Sequence, residues 1–570
     1  MADDTKRTRL HVRIGGEAGQ GLETVTQMFC KALVRSGYGL LTSQHAMSRI
    51  RGGHNFFSIY AGLEQPQGPG GNVDLLVAFS EETVGLHQDQ VAENGFILLG
   101  EDMDDHGLER SLRIPYSELV EEKIVHNVLA LGVMSNLLGI GEETISSVVK
   151  EAFEKKGDKV VSTNQEALQK GGQWIQDQSV DFRKLSEAGQ TERTLAMSGS
   201  QAMALGAMAA GVDFCSFYPM SPSTSVAMNL IAHADTAGIV CEQAEDEIAA
   251  VNMAIGASSS GARSLVPTSG GGFALMGEGV SLIGVAETPM VIVLAQRPGP
   301  ATGLPTRTEQ GDLELALYTG HGEFPRAILA PGTQEDCFFQ THKALDLAER
   351  FQTLCIVLVD QYLTDSIKSV APFKLEELPE IPGPGDDIQA EGTYERYAWS
   401  ETGVSPRIIP GKGKPLVVTD SHEHTPDGHI TEDQDVRNRM VEKRLKKMEG
   451  LKQEVFPPNY QGPDDPDLLL VSWGSSQGAV QEAAGQLEEN GRSVATLHFS
   501  QVWPILPDQF LDRLQKAGSV VSVESNATAQ FARLIRRETG FEITKHVLRY
   551  DGRPLDYDYI LAGLKEQQLA

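Results

Sequence analysis

The sequence is poor in cysteine, in positive charge and in long apolar runs. Its five cysteines are an odd number and include no C-x-x-C pair, which excludes a disulfide framework and an iron–sulfur ferredoxin motif carried by this chain. Apolar runs such as 290–295 are too short to span a bilayer, and the first residues lack the apolar region of a secretory signal. We therefore expect a cytoplasmic protein in a reducing compartment, with no membrane partner.

Positive charge is scarce as well. The formal net charge of −30 over 570 residues repels nucleic acid over most of the surface, so we expect no nucleic-acid partner, and a phosphate-bearing ligand needs a local pocket. What is plentiful is glycine, at 58 residues, together with 40 % apolar residues. This composition is typical of a loop-rich α/β protein, and the length predicts roughly three or four domains.

The order of apolar patterns predicts where those domains lie. Residues 1–185 carry strand patterns at 10–14, 73–79 and 96–99 and a helix at 125–138, as in an α/β domain. A polar linker at 185–193 precedes the second domain, which we place at 195–370.

The second domain contains short apolar runs that predict parallel strands buried on both faces. They lie at 264–267, 291–295, 328–329 and 354–359. A connector with a charged, solvated helix is predicted for 371–462, and a smaller α/β domain for 463–570. The predicted fold class is therefore a multidomain α/β protein with open parallel sheets.

The segment GGEAGQG at 15–21 follows the first predicted strand, where N–H groups at the start of a helix suit an anion. NAD binding is disfavoured, because the spacing is G-x-x-G-x-G and no acidic residue lies between Glu23 and Glu64 to hold a ribose. A tight turn that lets a helix pack on a sheet is the competing interpretation. The tract RIRGGH, with Arg49 and Arg51, suits a phosphate or carboxylate, or forms a solvated basic turn.

The segment YPMSPST at 218–224 combines two prolines with three hydroxyls after a predicted strand. Such a stiff polar turn suits a small ligand. The competing interpretation is a loop in which Ser223 and Thr224 cap the next helix.

The acidic run Glu245, Asp246 and Glu247 opens a predicted helix. With an apolar stripe of Ala244, Ile248, Val251 and Ile255, helical geometry places Asp246 away from the stripe and Glu247 near it. We predict that Glu247 is half buried, although acids in a first turn usually do no more than complement the helix dipole.

Two further glycine-rich tracts each follow a buried strand pattern. They are TSGGGF at 268–273 and QRPGPATGLPTR at 296–307. In open α/β sheets ligands bind at the carboxyl ends of strands, so Arg297 is placed to hold an anion.

Together these segments resemble the alpha subunit of the 2-oxoacid:ferredoxin oxidoreductases, with the family's gamma domain fused in front. GGEAGQG and RIRGGH are similar to the gamma domain, and VSWGSSQGAVQEA and VESNATAQ are similar to the transketolase C-terminal domain. The pyrimidine-binding domain of thiamine-diphosphate enzymes is resembled by YPMSPST, EDEIAAVNMAIGAS, TSGGGFALMGE, QRPGPATGLPTRTEQGDL and GHGEFPR. The segments keep the family's order over nearly the whole chain.

The resemblance implies roles for single residues. Glu247 matches the glutamate that hydrogen-bonds the aminopyrimidine of thiamine diphosphate, a role that needs a desolvated carboxyl. Ser221 and Arg297 match positions that hold the carboxylate and keto group of a 2-oxoacid. The remaining expected contacts are Pro219, Thr268, Ser269 and Gly270 with the cofactor, and Gly16, Gly19, Gly21 and Arg51 with coenzyme A or in an interdomain loop.

Two features depart from a self-sufficient thiamine enzyme. Many relatives have Gly-Pro where this chain has Gly270, Gly271 and Gly272, which predicts a looser loop. No Gly-Asp-Gly segment with a following Asn is present to hold Mg²⁺ and a diphosphate. We therefore expect Mg²⁺, the diphosphate site and a [4Fe–4S] cluster on a beta-type partner subunit, in a heterodimer or a dimer of heterodimers, and we expect no metal site in this chain.

The fused gamma–alpha arrangement resembles 2-oxoglutarate enzymes. A dicarboxylate needs a second cation, for which Arg307, beside Thr306, is the candidate. The expected reaction converts 2-oxoglutarate, coenzyme A and oxidised ferredoxin to succinyl-CoA, carbon dioxide and reduced ferredoxin, or the reverse, with acidic ferredoxin docking on the partner.

Pyruvate or another 2-oxoacid is the nearest alternative. A self-sufficient transketolase or decarboxylase is disfavoured by the missing diphosphate motif, and a non-catalytic scaffold or binding subunit is a further alternative.

Overall fold

The computed structural model describes residues 6–47, 53–104, 107–180, 182–189, 194–383, 394–412 and 414–570. The chain forms two compact units. The first unit comprises 1–198 with 365–373 and 556–558, and the second comprises 199–364 with 374–555 and 559–570.

Within the described residues, the chain forms β-strands and α-helices in the following order. The strands are β1 (Lys6–Arg7), β2 (Arg9–Glu17), β3 (Gly39–Ala46), β4 (His54–Gly62), β5 (Val73–Ala78), β6 (Val91–Gly100), β7 (Ser111–Ile114), β8 (Lys184–Leu185), β9 (Leu195–Ser198), β10 (Phe214–Phe217), β11 (Val240–Gln243), β12 (Ser264–Thr268), β13 (Met290–Gln296), β14 (Arg326–Leu329), β15 (Leu354–Asp360), β16 (Ile367–Val370), β17 (Asn459–Gln461), β18 (Leu468–Trp473), β19 (Val494–Phe499), β20 (Gln501–Trp503), β21 (Ser519–Glu524) and β22 (Lys545–Leu548). The helices are α1 (Leu22–Arg35), α2 (Glu81–His87), α3 (Tyr116–Leu119), α4 (His126–Leu138), α5 (Glu142–Phe153), α6 (Asp158–Gln176), α7 (Gly199–Ala209), α8 (Thr224–Ala237), α9 (Glu247–Ser259), α10 (Gly270–Leu275), α11 (Gly277–Ala286), α12 (Leu313–Tyr318), α13 (Gln334–Phe351), α14 (Gln361–Asp365), α15 (Gln434–Gln453), α16 (Gln477–Glu489), α17 (Leu511–Lys516), α18 (Gln530–Thr539) and α19 (Tyr557–Glu566).

The first unit is built on a mixed eight-stranded sheet, ordered β7-β6-β5-β2-β4-β3-β16-β9. Strands β2, β5, β6 and β7 pair in parallel, whereas β4, β3, β16 and β9 pair antiparallel. Helix α1 buries one apolar face, since Val25, Phe29 and Leu33 are fully buried. The first strand is longer than predicted. It runs through Gly15 and Gly16 to Glu17, so these glycines belong to the sheet and not to a loop.

The second unit contains two sheets. The larger has the order β11-β10-β12-β13-β15-β14-β20 and is parallel except for β20, which pairs antiparallel with β14. Every residue of β12, β13 and β15 is buried, which confirms the strands predicted from continuous apolar runs. The smaller sheet has five strands in the order β17-β19-β18-β21-β22. No helix among the described residues is long and apolar enough to cross a membrane.

The charged helix α15 departs from the sequence prediction. We predicted a solvated helix, but Met440, Lys443, Lys447 and Leu451 are buried along one face. The ammonium groups of Lys443 and Lys447 both contact the carboxylate of Glu287, a buried residue that directly follows α11. Lys443 Nζ lies 2.7 Å from Glu287 Oε1, and Lys447 Nζ contacts Glu287 Oε2. Opposite charges thus allow a charged face to be buried, which helical spacing of charges alone does not reveal.

Other groups complete this buried charge cluster. Lys447 Nζ also donates to the carbonyl of Gln352 at 3.1 Å, and Arg396 donates to the carbonyl of Glu287 at 2.8 Å. Burial by itself would raise the pKa of Glu287, but the charges of Lys447, Lys443 and Arg396 outweigh it and lower that pKa to about 2. The cluster therefore fastens α15 to the end of α11.

Replacing Glu287 by Gln should destabilise the protein strongly. The substitution leaves two buried ammonium groups without a counter-ion, which costs about 3–5 kcal/mol in comparable sites. We expect a clear fall in the thermal unfolding temperature of the full chain, measured by calorimetry. Glu278→Gln is the matched control, because Glu278 is an exposed acid in α11. Equal unfolding temperatures for the two variants would contradict the assigned role of the cluster.

Candidate active site

The carboxyl ends of the parallel strands of the larger sheet deliver the residues singled out from the sequence. β10 leads into the 218–224 loop, β12 ends at Thr268, and β13 ends at Gln296 directly before Arg297. Glu247 follows β11 after a short loop. Since parallel strands end on the same side of a sheet, these loops lie together at its carboxyl edge.

Glu247 is the first residue of α9. Asp246 caps this helix, accepting a hydrogen bond from the N–H of Ala249 at 2.7 Å. Glu247 is only 4 % exposed, which is deeper than the predicted half burial, whereas Ile248, which we placed on the buried stripe, is 49 % exposed. The buried face is instead formed by Glu247, Ala250, Val251, Ala254, Ile255 and Ser258.

The carboxylate of Glu247 is not fully satisfied by the protein. Its Oε1 is buried and has no hydrogen-bond partner within the described part of the chain. Buried carboxylate oxygens are normally paired, so an unpaired one indicates a place for a ligand.

The glycine tract after β12 packs directly against this carboxylate. A Cβ added to Gly272 would lie 2.7 Å from Glu247 Oε1 and would also collide with Thr268 Oγ1. Gly270 is equally confined, since its Cβ would lie 2.5 Å from Asp312 Oδ2. The tract is helical, as the first turn of α10, and the looser loop that we expected from the three glycines is wrong.

Thr268 and Ser269 are both fully buried at the start of this turn. Ser269 precedes α10 in extended conformation without a side-chain cap bond, and its Oγ has no partner among the described residues. The Ser269 hydroxyl and the Glu247 Oε1 atom, neither of which has a hydrogen-bond partner among the described residues, thus lie beside the glycine backbone at the start of α10. This arrangement suits a flat ligand with its own donors and acceptors.

Arg297 connects the tract after β13 with the 218–224 loop. Its Nη1 donates to the carbonyl of Ser221 at 2.7 Å, so the arginine contacts the backbone of Ser221 and not its hydroxyl. Partial burial lowers the pKa of Arg297, while the negative charges of Asp312 and Glu247 act in the opposite direction. Ser221, Arg297, Glu247 and Asp312 therefore form one neighbourhood.

In the same 218–224 loop, the Ser223 hydroxyl has a local role. Ser223 Oγ donates to the carbonyl of Met220 at 2.7 Å and makes no capping bond to α8, so the capping interpretation fails for Ser223. Pro219 is exposed. It is therefore available for contact with a ligand or another chain.

Asp312 and Glu309 were missed in the sequence. Burial raises the pKa of Asp312 to about 6, although Arg297 opposes the shift, and burial together with the charge of Asp312 raises the pKa of Glu309 to about 7. Asp312 Oδ2 has no partner among the described residues. Acids with raised pKa values in a ligand pocket are candidates for proton handling. The sequence does place both acids close to the candidate arginines, because they lie in the TEQGDL segment directly after Arg307.

Arg307 has different neighbours. A Cβ on Gly552 would lie 3.0 Å from the Cβ of Arg307, and Thr308 N–H donates to the carbonyl of Gly552 at 3.3 Å. Burial and the charge of Arg553 lower the pKa of Arg307, while Asp551 raises it. Arg307 and Thr306 are both half-buried.

The second half of the glycine-rich segment of the first unit, residues 18–21, forms the turn before α1. Gly19 and Gly21 adopt left-handed backbone angles, with φ values of 99° and 75°. A Cβ on Gly19 would meet nothing within 4 Å, whereas one on Gly21 would collide with the amide of Asn127. Gly16 lies in β2, and Arg51 lies outside the described residues. No group of three or more His, Cys, Asp or Glu side chains arranged for a metal is found in the ranges that the structure describes.

Comparison with known proteins agrees with this geometry. Residues 205–443 match the family described as "Pyruvate flavodoxin/ferredoxin oxidoreductase, thiamine diP-bdg", and residues 11–174 match "Pyruvate ferredoxin/flavodoxin oxidoreductase". The 2-oxoacid:ferredoxin oxidoreductase subunit alpha of a Sulfolobus species is 31 % identical over 98 % of this chain and 96 % of its own length. This chain belongs to the 2-oxoacid:ferredoxin oxidoreductase family.

A solved member of the family supports the assignment. The 2-oxoglutarate:ferredoxin oxidoreductase of Magnetococcus marinus, with 2-oxoglutarate, coenzyme A and succinyl-CoA bound, matches 99 % of this chain and 100 % of its own at 30 % identity and a TM-score of 0.91. The 2-oxoglutarate oxidoreductase subunit KorA of Mycobacterium tuberculosis is 26 % identical over 92 % of this chain and 86 % of its own length. The thiamine-diphosphate-binding family region 205–443 contains Glu247, Arg297 and Asp312. The oxidoreductase family and the α/β fold expected from the sequence are therefore confirmed.

A glycine substitution tests how tightly α10 packs on the site. Gly272→Ala places a methyl group against Glu247 and Thr268, and overpacking of this kind costs roughly 1–3 kcal/mol. Gly271→Ala is the control, since a Cβ there would meet only the carbonyl of Ala301, at 3.8 Å. We expect the unfolding temperature of the full chain to fall for Gly272→Ala and to stay constant or rise for Gly271→Ala. The same fall in both variants would contradict the described packing.

Proposed function

We propose that this chain is the alpha-type subunit of a thiamine-diphosphate-dependent 2-oxoglutarate:ferredoxin oxidoreductase that acts with a beta-type partner. The reaction interconverts 2-oxoglutarate, coenzyme A and oxidised ferredoxin with succinyl-CoA, carbon dioxide and two equivalents of reduced ferredoxin. The observation that carries the proposal is the buried Glu247 carboxylate with an unpaired oxygen, close to Arg297 and the 218–224 loop.

The residues around Glu247 fit the aminopyrimidine of thiamine diphosphate. A flat heteroaromatic ring with exocyclic and ring nitrogens needs a buried acceptor, a hydroxyl and a wall without side chains. Glu247 Oε1, Ser269 Oγ and the glycine turn of α10 provide these three features. When bound, thiamine diphosphate supplies a carbanion that adds to the keto carbon of a 2-oxoacid and accepts the electrons of decarboxylation.

The chain's own residues would act by holding protons and charge. Glu247 would share a proton with a ring nitrogen of the cofactor, where its burial strengthens the hydrogen bond. Arg297 is positively charged and fixed by the Ser221 carbonyl, so it is placed to hold the carboxylate of the 2-oxoacid. Asp312, whose negative charge acts on Arg297, would help to hold the guanidinium, and its raised pKa of about 6 places its proton exchange in the weakly acidic range.

The choice of 2-oxoglutarate rests on Arg307. A second carboxylate needs a second cation, and Arg307 is half-buried in the same 297–307 tract as Arg297. Its neighbours Asp551 and Arg553 leave the local charge positive by one unit when all three are ionised. The Magnetococcus marinus relative is a 2-oxoglutarate enzyme, which supports the same substrate here. Mg²⁺, the [4Fe–4S] cluster and the diphosphate contacts belong, in this proposal, to the partner in a heterodimer or dimer of heterodimers.

The first experiment tests the role of Glu247. The chain is co-expressed with its partner, and viologen reduction is measured with 2-oxoglutarate and coenzyme A. We expect Glu247→Gln to lower kcat by about 10²–10⁴-fold, the usual effect of removing a proton-transferring side chain, while subunit assembly and cluster content stay constant. Glu245→Gln is the matched control, because Glu245 is an exposed acid two residues earlier. A fully active Glu247→Gln complex would favour the scaffold alternative.

The second experiment tests the substrate. Arg307→Ala should lower kcat/KM for 2-oxoglutarate by about 10–100-fold, as expected for the loss of a charged hydrogen bond, and should change kcat/KM for pyruvate much less. Arg536→Ala is the control, since Arg536 is exposed and its guanidinium pairs with Glu542. An unchanged ratio of the two substrates in Arg307→Ala would remove the argument for Arg307, and a wild-type preference for pyruvate or another 2-oxoacid would replace 2-oxoglutarate as the substrate.

A further inference from the structure

Two cysteines lie opposite each other on the neighbouring strands β10 and β11, which lead into the candidate active site. Cys215 in β10 and Cys241 in β11 are direct register partners in a parallel pair. Registered residues on adjacent strands point to the same face of a sheet, and the strands lie about 4.8 Å apart. This spacing falls inside the range of roughly 4.4–6.8 Å between Cα atoms that a disulfide bond requires.

The two thiols differ in accessibility. β11 is an edge strand of the seven-stranded sheet, and Cys241 is partly exposed, whereas Cys215 is fully buried. The neighbouring Cys215 thiol lowers the pKa of Cys241, and the neighbouring Cys241 sulfur together with burial raises the pKa of Cys215. An accessible, acidified thiol next to a second thiol is the arrangement in which a first cysteine reacts and a second resolves.

The other three cysteines provide the contrast. Cys30, Cys337 and Cys355 are fully buried, and burial raises the pKa of each thiol. Such cysteines behave as small apolar residues. Reactivity is therefore concentrated at Cys241.

We propose that Cys215 and Cys241 form a redox-active dithiol that closes reversibly to a disulfide by exchange with a small-molecule disulfide such as oxidised glutathione. The Cys241 thiolate attacks one sulfur of glutathione disulfide, which breaks the S–S bond and releases one glutathione thiolate. Cys215 then gives its proton to that thiolate and attacks the Cys241 sulfur of the mixed disulfide, releasing the second glutathione. Two protein thiols are oxidised to one disulfide, and one glutathione disulfide is reduced to two thiols.

The position of the pair gives the bond a structural consequence. Cys215 lies three residues before Tyr218, where the 218–224 loop begins, and Cys241 lies six residues before Glu247. The same two strands therefore carry both the reactive cysteines and two parts of the candidate site. A covalent link between them restrains the loops that position Ser221 and Glu247.

Thiol mapping tests the proposal directly. The full chain, purified without oxygen, is treated with oxidised glutathione, alkylated, digested without reductant and analysed by mass spectrometry. We expect a Cys215–Cys241 linked peptide that dithiothreitol removes, and alkylation of Cys241 in the untreated chain at least about 10-fold faster than that of the buried cysteines. Cys337→Ser should form the same link. Cys215→Ser should stop at a glutathione adduct on Cys241, and Cys241→Ser should not react at position 215.

The opposite results are equally clear. A wild-type chain that yields only a stable glutathione adduct on Cys241, links between chains, or no modification would overturn the proposal. These readings come from the wild-type protein, so they hold even where a serine variant fails to fold.

A second measurement uses the assembled complex and rests on the proposed function. Oxidised glutathione should lower 2-oxoacid-dependent viologen reduction in the wild type, dithiothreitol should restore it, and Cys215→Ser should not show this cycle because the resolving thiol is missing. A cross-linked complex with unchanged activity would contradict the claim that the disulfide bond restrains the loops that carry Ser221 and Glu247. A complex that is inactive before oxidation but forms the cross-link would contradict the proposed function alone.

Discussion

Parallel pairing of buried strands is the constraint on which the candidate site depends. Strands β12, β13 and β15 are buried on both faces, so their register is fixed by apolar packing over the whole strand. Their carboxyl ends then meet at one edge, and each end is followed at once by a polar residue: Ser269, Arg297 or Gln361. The candidate site residues are therefore attached to the ends of fully buried strands of the second unit, and the loops that follow these strands carry their side chains.

Three of the buried glutamates in this unit differ in how their carboxylates are paired. Glu287 is paired with two lysines, and Glu524 accepts from the N–H groups of Phe531 and Ala532 at 2.9 and 3.0 Å and from Asn526. Because its folded pKa is depressed, Glu287 stabilises the protein above the normal glutamate pKa of 4.5, and this contribution is lost as the pH falls toward about 2. Glu247 alone of the three keeps a buried oxygen without a hydrogen-bond partner in the described chain, so this oxygen is left to accept or share a hydrogen bond with a ligand.

The sequence predicted those parts of the fold in which local pattern and burial agree. Continuous apolar runs located β12, β13 and β15, and the acidic run before an apolar helix located Glu247. It failed where burial depends on partners that are distant in sequence. Charges on α15 indicated a solvated helix because the partner Glu287 lies 156 positions before Lys443. The raised pKa values of Asp312 and Glu309 depend on the path of a loop, and the addition of β20 to the larger sheet depends on tertiary pairing, neither of which periodicity encodes.

The loop that carries Arg297 and Asp312 is held from the smaller sheet as well as from the larger one. Gln310 donates from its backbone N–H to the carbonyl of Ser525 at 2.6 Å, accepts from the Ser525 N–H at 2.9 Å, and donates from its side chain to the carbonyl of Trp473 at 2.8 Å. On the other side, Gln296 accepts from the N–H of Asp312 at 3.0 Å. Asp312 is thereby fixed between the end of β13 and the ends of β18 and β21. Through Gln310 the smaller sheet thus helps to hold the loop on which the Asp312 carboxylate lies beside Gly270, at the start of α10.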